Sequence, residues 1–253
     1  MHLTYYGANS WLLQFDELRI LVDPWLVGSL VFSKMDWLFK GDRTHPIEDI
    51  PENIDLILLS QGLEDHAHRP TLQKLQRTIP VIASPSGAKV VQSLGYSSVT
   101  ALKPGDTYLF QETLEIRALS GAPIGLSIEN GYWLNYRPHD MSLYYEPHGF
   151  PPSALDDVGT VDVVISPIVN LELPLAGAII QGHKTALTIA KTLKPTVFLP
   201  TASEGDIRYS GILDKILTVV GSDTQFKESL ILEGLITQFV SPEPQVAFEI
   251  SQP

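Results

Sequence analysis

The chain has 253 residues, of which 44% are hydrophobic and only 18% charged, enough for one large folded domain and too apolar for a disordered chain. The formal net charge is -12 and no Lys/Arg-rich run offsets it, so nucleic acid and anionic membrane are not expected partners, and a small-molecule ligand or substrate is. Cysteine is absent, which excludes disulfides, thiolate zinc sites and thiol nucleophiles.

Leu3-Thr4-Tyr5-Tyr6 is strand-like, and no basic segment with an apolar run precedes it. A secretory leader is therefore not expected, and a cytoplasmic location is. Residues 173–180 are apolar but short and broken by Pro174 and Gly177, so no bilayer crossing is expected. Strands are predicted at Trp11–Phe15 and Leu18–Val22, separated by turns at Gly7-Ala8-Asn9 and Asp16-Glu17, with Asp23-Pro24 ending the ladder. Residues 28–51, with Trp37, Phe39 and His45, lack periodicity. A loop of that length reads as a functional excursion such as a lid, and its aromatic residues leave self-association open.

Residues 54–59 form a continuous apolar run, read as a buried strand. A helix over 71–77 follows Pro70, then a strand at Val81–Ala83 and a helix over 87–94 that ends at Gly95. The pattern then returns to β, with strands over 107–110, 114–119, 124–128, 132–136 and 143–145. Turns are read at Gly105-Asp106, Glu129-Asn130-Gly131 and Pro138-His139-Asp140. A buried strand over 161–165, a helix over 182–193, a strand at Val197–Leu199, helices over 207–220 and 226–236, and an edge strand over 246–250 complete the reading. No repeat, low-complexity tract or Gly/Ser linker interrupts the chain. The expectation is a single α/β (α+β) domain over residues 1–253, made of two α/β halves packed through their sheets in four layers.

Ser60-Gln61-Gly62-Leu63-Glu64-Asp65-His66-Ala67-His68 lies between a buried strand and a helix, where ligands bind in α/β folds. With Tyr6-Gly7-Ala8-Asn9-Ser10-Trp11 and Leu21-Val22-Asp23-Pro24-Trp25, it resembles the metallo-β-lactamase superfamily, and more narrowly its branch of ascorbate-phosphate lactonase-like metal-dependent hydrolases. The resemblance runs from the first strand to about Ser203. It implies an αββα sandwich and a His-x-His-x-Asp-His motif whose imidazoles and carboxylate hold one or two divalent ions that activate water.

Gln61 and Leu63 stand at the motif's first two histidines, and Asp65 and His66 match its Asp-His pair. Leu63 cannot bind a metal, and Gln61 offers only an amide oxygen. No histidine falls near residues 119–123, where the resemblance implies one. His148, in Tyr145-Glu146-Pro147-His148, stands near the bridging aspartate's place, and Thr201-Ala202-Ser203 replace the last histidine. A two-ion centre is therefore not expected. A rebuilt single-ion site (Zn, Mn or Fe) would have Asp65, His66 and His148 as its nucleus, with His68 and His183 as further donors. Asp23 and Gln61 would support it, and Asp65, Glu64 or Glu146 would serve the chemistry. The bland readings stand beside these. Asp65 and His66 would only bond the loop and cap a helix, His68 would be a loop residue, and His148 would shape a turn. His183 would cap a helix or face solvent, and Glu146 would be a structural carboxylate. Two functions remain open: a hydrolase of an ester, lactone, amide or phosphoester with a degenerate or rebuilt single-metal site, or a catalytically silent binding or scaffold protein that kept the fold without metal.

Overall fold

The computed structural model describes residues 1–32, 35–47, 49–174, 177–201 and 207–250. The chain divides into two compact units. The first is drawn from Met1–Leu102, Ala202–Ile216 and Pro242–Pro253, the second from Lys103–Thr201 and Leu217–Ser241.

The first unit begins with a meander of β1 (His2–Tyr5), β2 (Trp11–Phe15) and β3 (Leu18–Val22). β4 (Leu30–Val31) and β5 (Lys40–Arg43) follow, then β6 (Leu56–Leu59), α1 (Arg69–Lys74), β7 (Val81–Ala83), α2 (Pro85–Ser93) and β8 (Val99–Ala101). β1, β2 and β3 pair antiparallel. β3, β6, β7 and β8 pair parallel, which requires crossovers: the excursion that carries β4 and β5 supplies the first, and α1 and α2 the other two. Their buried residues Leu72, Ala88 and Val91 pack on Leu12, Leu21, Ile57, Leu59, Val81 and Ala83. The four residues of β6 are all buried, so both of its faces are covered. α2 starts at Pro85, two residues before the expected Gly87, because Ser84 Oγ accepts the Gly87 N–H at 3.2 Å.

The second unit opens on antiparallel β9 (Thr107–Phe110), β10 (Leu114–Ile124), β11 (Ser127–Tyr136) and β12 (Met141–Tyr145). Parallel pairing then continues through β13 (Val163–Ile165), β16 (Val197–Leu199) and β19 (Gln238–Phe239). α3 (Gly182–Leu193) and α4 (Asp223–Leu232) cover one face, where Ala186, Ile189, Leu193, Phe226 and Leu230 pack on Tyr144, Val164 and Phe198. Each unit thus joins an antiparallel meander to parallel strands, as the alternation of elements predicts. β14 (Asn170–Leu173) and β15 (Gly177–Gln181) form a hairpin within a separate three-stranded sheet.

Two sequence expectations are corrected. Residues 207–220 are not a helix: β17 (Ile207–Ser210) pairs with β5, a 3-10 turn spans Leu213–Lys215, and β18 (Thr218–Val220) pairs with β14. Sheet partners more than 40 residues away override the local helical spacing. Glu129-Asn130-Gly131 is not a turn either. These residues lie inside β11, and the chain reverses at Gly125-Leu126, with Gly125 at φ 61°. The excursion over 28–51 carries β4 and β5, which with β17 make a small sheet. The last strand, β20 (Ala247–Glu249), pairs with β1.

Candidate metal centre

β3 and β6 run side by side, and their carboxyl ends release Asp23 and Ser60. Asp23 is wholly buried, sits in the left-handed region at φ 41°, and is tied to β6 by its N–H to Leu58 C=O. Ser10 locks this turn: its hydroxyl donates to Asp23 C=O at 2.9 Å and accepts the Trp25 N–H at 2.8 Å. The Asp23 carboxylate therefore faces the next loop. Oδ1 accepts the Ser60 N–H at 2.7 Å, and Oδ2 accepts the Ser60 hydroxyl at 2.5 Å and His66 Nδ1–H at 2.7 Å. Ser60 Oγ is also 3.0 Å from Nδ1.

Residues 60–68 can follow this path because Gly62 has no side chain. A Cβ there would lie 2.8 Å from the Ser86 carbonyl carbon and oxygen at the start of α2. Leu63 C=O then accepts the N–H groups of His66 and Ala67, closing a turn that turns the His66 ring inward.

With Nδ1–H held by Asp23, Nε2 of His66 presents its lone pair. Two groups meet it: Asn9 Nδ2 at 3.2 Å and Asp65 Oδ2 at 3.1 Å. Burial opposes charging the ring, but the carboxylates of Asp65 and Asp23 outweigh it and push the imidazole up to about 10. An imidazole lone pair and a carboxylate oxygen 3.1 Å apart repel unless something positive lies between them. A proton fits there. So does a metal ion, because two ligands at about 2.0–2.2 Å on one cation stand roughly 3 Å apart. The donor set of this half-site therefore suits a divalent cation.

The other sequence candidates lie as follows. Gln61 is buried, and Glu64, next to Asp65 in the chain, is half-buried. His68 is buried: its Nδ1 meets Thr71 Oγ1 at 2.9 Å, and its ring lies edge-on to Trp25. Burial above all, with the charge of Arg43, pushes His68 down to about 4. It is the N-terminal cap of α1, without a side-chain capping bond. In the second unit, Glu146 and His148 share the loop after β12, and both are buried. His183 is exposed in the first turn of α3, where its N–H bonds Asn170 Oδ1. Ala202 and Ser203 lie outside the described residues.

Asn9 reads in the sequence as a turn residue and as part of the first motif of the resemblance, with no role at the site assigned to it, yet its side chain touches Nε2 of His66. Glu129 and Asn130, also read as turn residues, are buried, and Asn130 Nδ2 donates to Tyr132 Oη at 3.0 Å. The available signal was polar residues flanked by aromatic strand residues at Trp11 and Tyr132.

The fold and this half-site define a metallohydrolase-type α/β protein. The chain belongs to the metallo-β-lactamase superfamily: the family model described as β-lactamase superfamily domain matches residues 2–202. A UPF0173 metal-dependent hydrolase of Ignicoccus hospitalis is 24% identical over 210 residues, covering 78% of this chain and 80% of that protein. Among solved structures, a metallo hydrolase from the same archaeon has a TM-score of 0.68 at 18% identity, covering 99% of each chain. An isothiocyanate hydrolase from Delia radicum gut bacteria has a TM-score of 0.70 at 17% identity, covering 100% of each. At those identities the structures speak for the fold. No helix among the described residues is long and apolar enough to cross a membrane.

Proposed function

We propose that the chain is a hydrolase that holds one divalent cation, Zn, Mn or Fe, on Asp65 and His66, with His148 as the third ligand that the sequence suggests. The observation that carries this reading is the Asp23–His66–Asp65 arrangement, in which Asp23 fixes the tautomer and leaves Nε2 and Oδ2 facing one point at 3.1 Å. When bound, such an ion lowers the pKa of its water and polarises the scissile group.

Asp65 supplies negative charge to the site, and His66 keeps its proton on the side away from it. Glu64, half-buried next to Asp65, is the side chain we assign to carry the proton. The carboxylate oxygens of Glu146 instead accept backbone N–H groups of their own loop. The substrate is a small ester, lactone, amide or phosphoester. The relatives' names, metal-dependent hydrolase and isothiocyanate hydrolase, favour hydrolysis of small molecules. The apolar Leu63 and the amide of Gln61 in the motif favour one ion over two. They also sustain a second reading, a binding protein that kept the fold without metal.

Elemental analysis of untagged protein separates the two. The hydrolase reading expects about one equivalent of metal to copurify with wild type, and clearly less than one with His66→Ala and with His148→Ala, whose binding is weakened. Wild-type protein that stays empty after supplementation with each ion would leave only the binding-protein reading.

A further inference from the structure

We infer that Glu146 is a positioning residue: its carboxylate fixes the backbone of the loop that presents His148, and it acts on the metal centre through that histidine. The second half of this inference rests on the reading above, in which His148 is a ligand.

The argument starts at β11. Gly131 stands beside Glu146, and a Cβ at that position would lie 3.1 Å from Glu146 Cγ and 3.2 Å from Tyr145 C=O. The absent side chain makes the room in which a fully buried glutamate folds back over its own loop. Its Oε1 accepts the His148 N–H at 3.2 Å and its Oε2 the Phe150 N–H at 2.7 Å. Charge-assisted bonds of this kind are about twice as strong as neutral ones. The loop is also held from the far side. His148 C=O accepts the Gln181 N–H at 2.8 Å. Gly149, at φ 76°, approaches the start of α3 so closely that a Cβ would meet Gly182 N at 2.7 Å. With N–H and C=O of His148 both anchored, the direction of its Cα–Cβ bond is set and only side-chain rotation remains. A carboxylate that bridges two N–H groups across four residues has the geometry of a loop staple.

The test compares Glu146→Gln, Gly131→Ala, His148→Ala and the Glu146→Gln/His148→Ala double variant. Glutamine has one carbonyl oxygen, so it can keep one of the two N–H bonds and turns an NH2 group toward the other. Gly131→Ala keeps the carboxylate but displaces it, and serves if Glu146→Gln does not fold. Zn(II) affinity is measured by competition with a chromophoric chelator, and amide hydrogen exchange at residues 148 and 150 by NMR. Glu146→Gln is expected to weaken Zn(II) binding by about 10–100-fold and to speed exchange at one or both amides about tenfold or more. In the His148→Ala background the same change should move affinity by less than about twofold.

Unchanged affinity and exchange in Glu146→Gln overturn the inference. So does an equal loss of affinity in both backgrounds, since Glu146 would then act elsewhere than through His148. Wild-type protein that binds no ion sinks the metal reading and the second half of this inference with it. The exchange rates decide the first half in either case.

Discussion

Asp23→Asn tests the half-site most directly, because one carboxylate there accepts three hydrogen bonds. Asparagine can keep the Ser60 N–H on its carbonyl oxygen, but it places an NH2 where Oδ2 now accepts from the Ser60 hydroxyl and from His66 Nδ1–H at 2.5 and 2.7 Å. The Ser60 hydroxyl can rotate to accept. The imidazole can only accept by giving up its Nδ1 proton, so the neutral ring takes its proton on Nε2, facing Asp65 and Asn9. In metal-free protein near neutral pH the ring is charged, since its pKa is pushed up to about 10, and the substitution removes one partner of a buried ion pair. That costs about 3–5 kcal/mol in general, and the retained Ser60 bond puts the variant near the low end. For a chain of this length each kcal/mol moves Tm by about 2–4 °C, so a fall of roughly 6–12 °C is expected in calorimetry of the metal-free form. Metal affinity should drop about 10–100-fold in chelator competition. A Tm within about 2 °C of wild type, with affinity unchanged, would refute the account of Asp23 as the group that sets the His66 tautomer.

Gly62→Ala should cost about 1–3 kcal/mol by urea denaturation, because its Cβ meets backbone atoms of Ser86 at 2.8 Å and neither segment has a flexible end to move. Wild-type stability in that variant would show that the loop reaches His66 by another path. His68 gives a pH signature. Its folded pKa is depressed to about 4, so the unfolded chain takes up a proton below about 6.5 that the native ring refuses. Stability present above that pH is therefore lost as pH falls toward 4, by up to about 1.4 kcal/mol per unit. Denaturation midpoints between pH 7 and 5 should fall more steeply in wild type than in His68→Gln, and parallel profiles would contradict a neutral buried ring.

Much of the first unit was legible because its signals are local. The apolar run before Ser60, the proline at the start of α1 and the turns between β1, β2 and β3 each announce themselves within a few residues. Asp65 and His66 were legible as a pair, and Asp23 only as a resemblance. Nothing at position 23 alone says that strand pairing sets it beside Ser60, 37 residues later. Asn9 was hidden for the same reason: its partner His66 lies 57 residues away. Residues 207–220 misled because Ile207, Ile212, Leu213, Ile216 and Val220 recur at helical spacing. Tyr209 instead opposes Gly41 and Val219 opposes Leu171, contacts that no local window contains. At 129–131, turn-forming composition competed with an eleven-residue β10 whose partner strand continues through it.

The pairing of β1 with β20, His2 opposite Glu249, has a consequence for how this protein is made. β1 is flanked on one side by β2 and on the other by a strand synthesised more than 240 residues later. Until then its outer backbone groups stand open to other chains, the usual template for misassembly. Closing a loop of more than 240 residues is also a slow step. Nascent chains halted before residue 247 should thus be the aggregation-prone species, whatever the state of the metal centre.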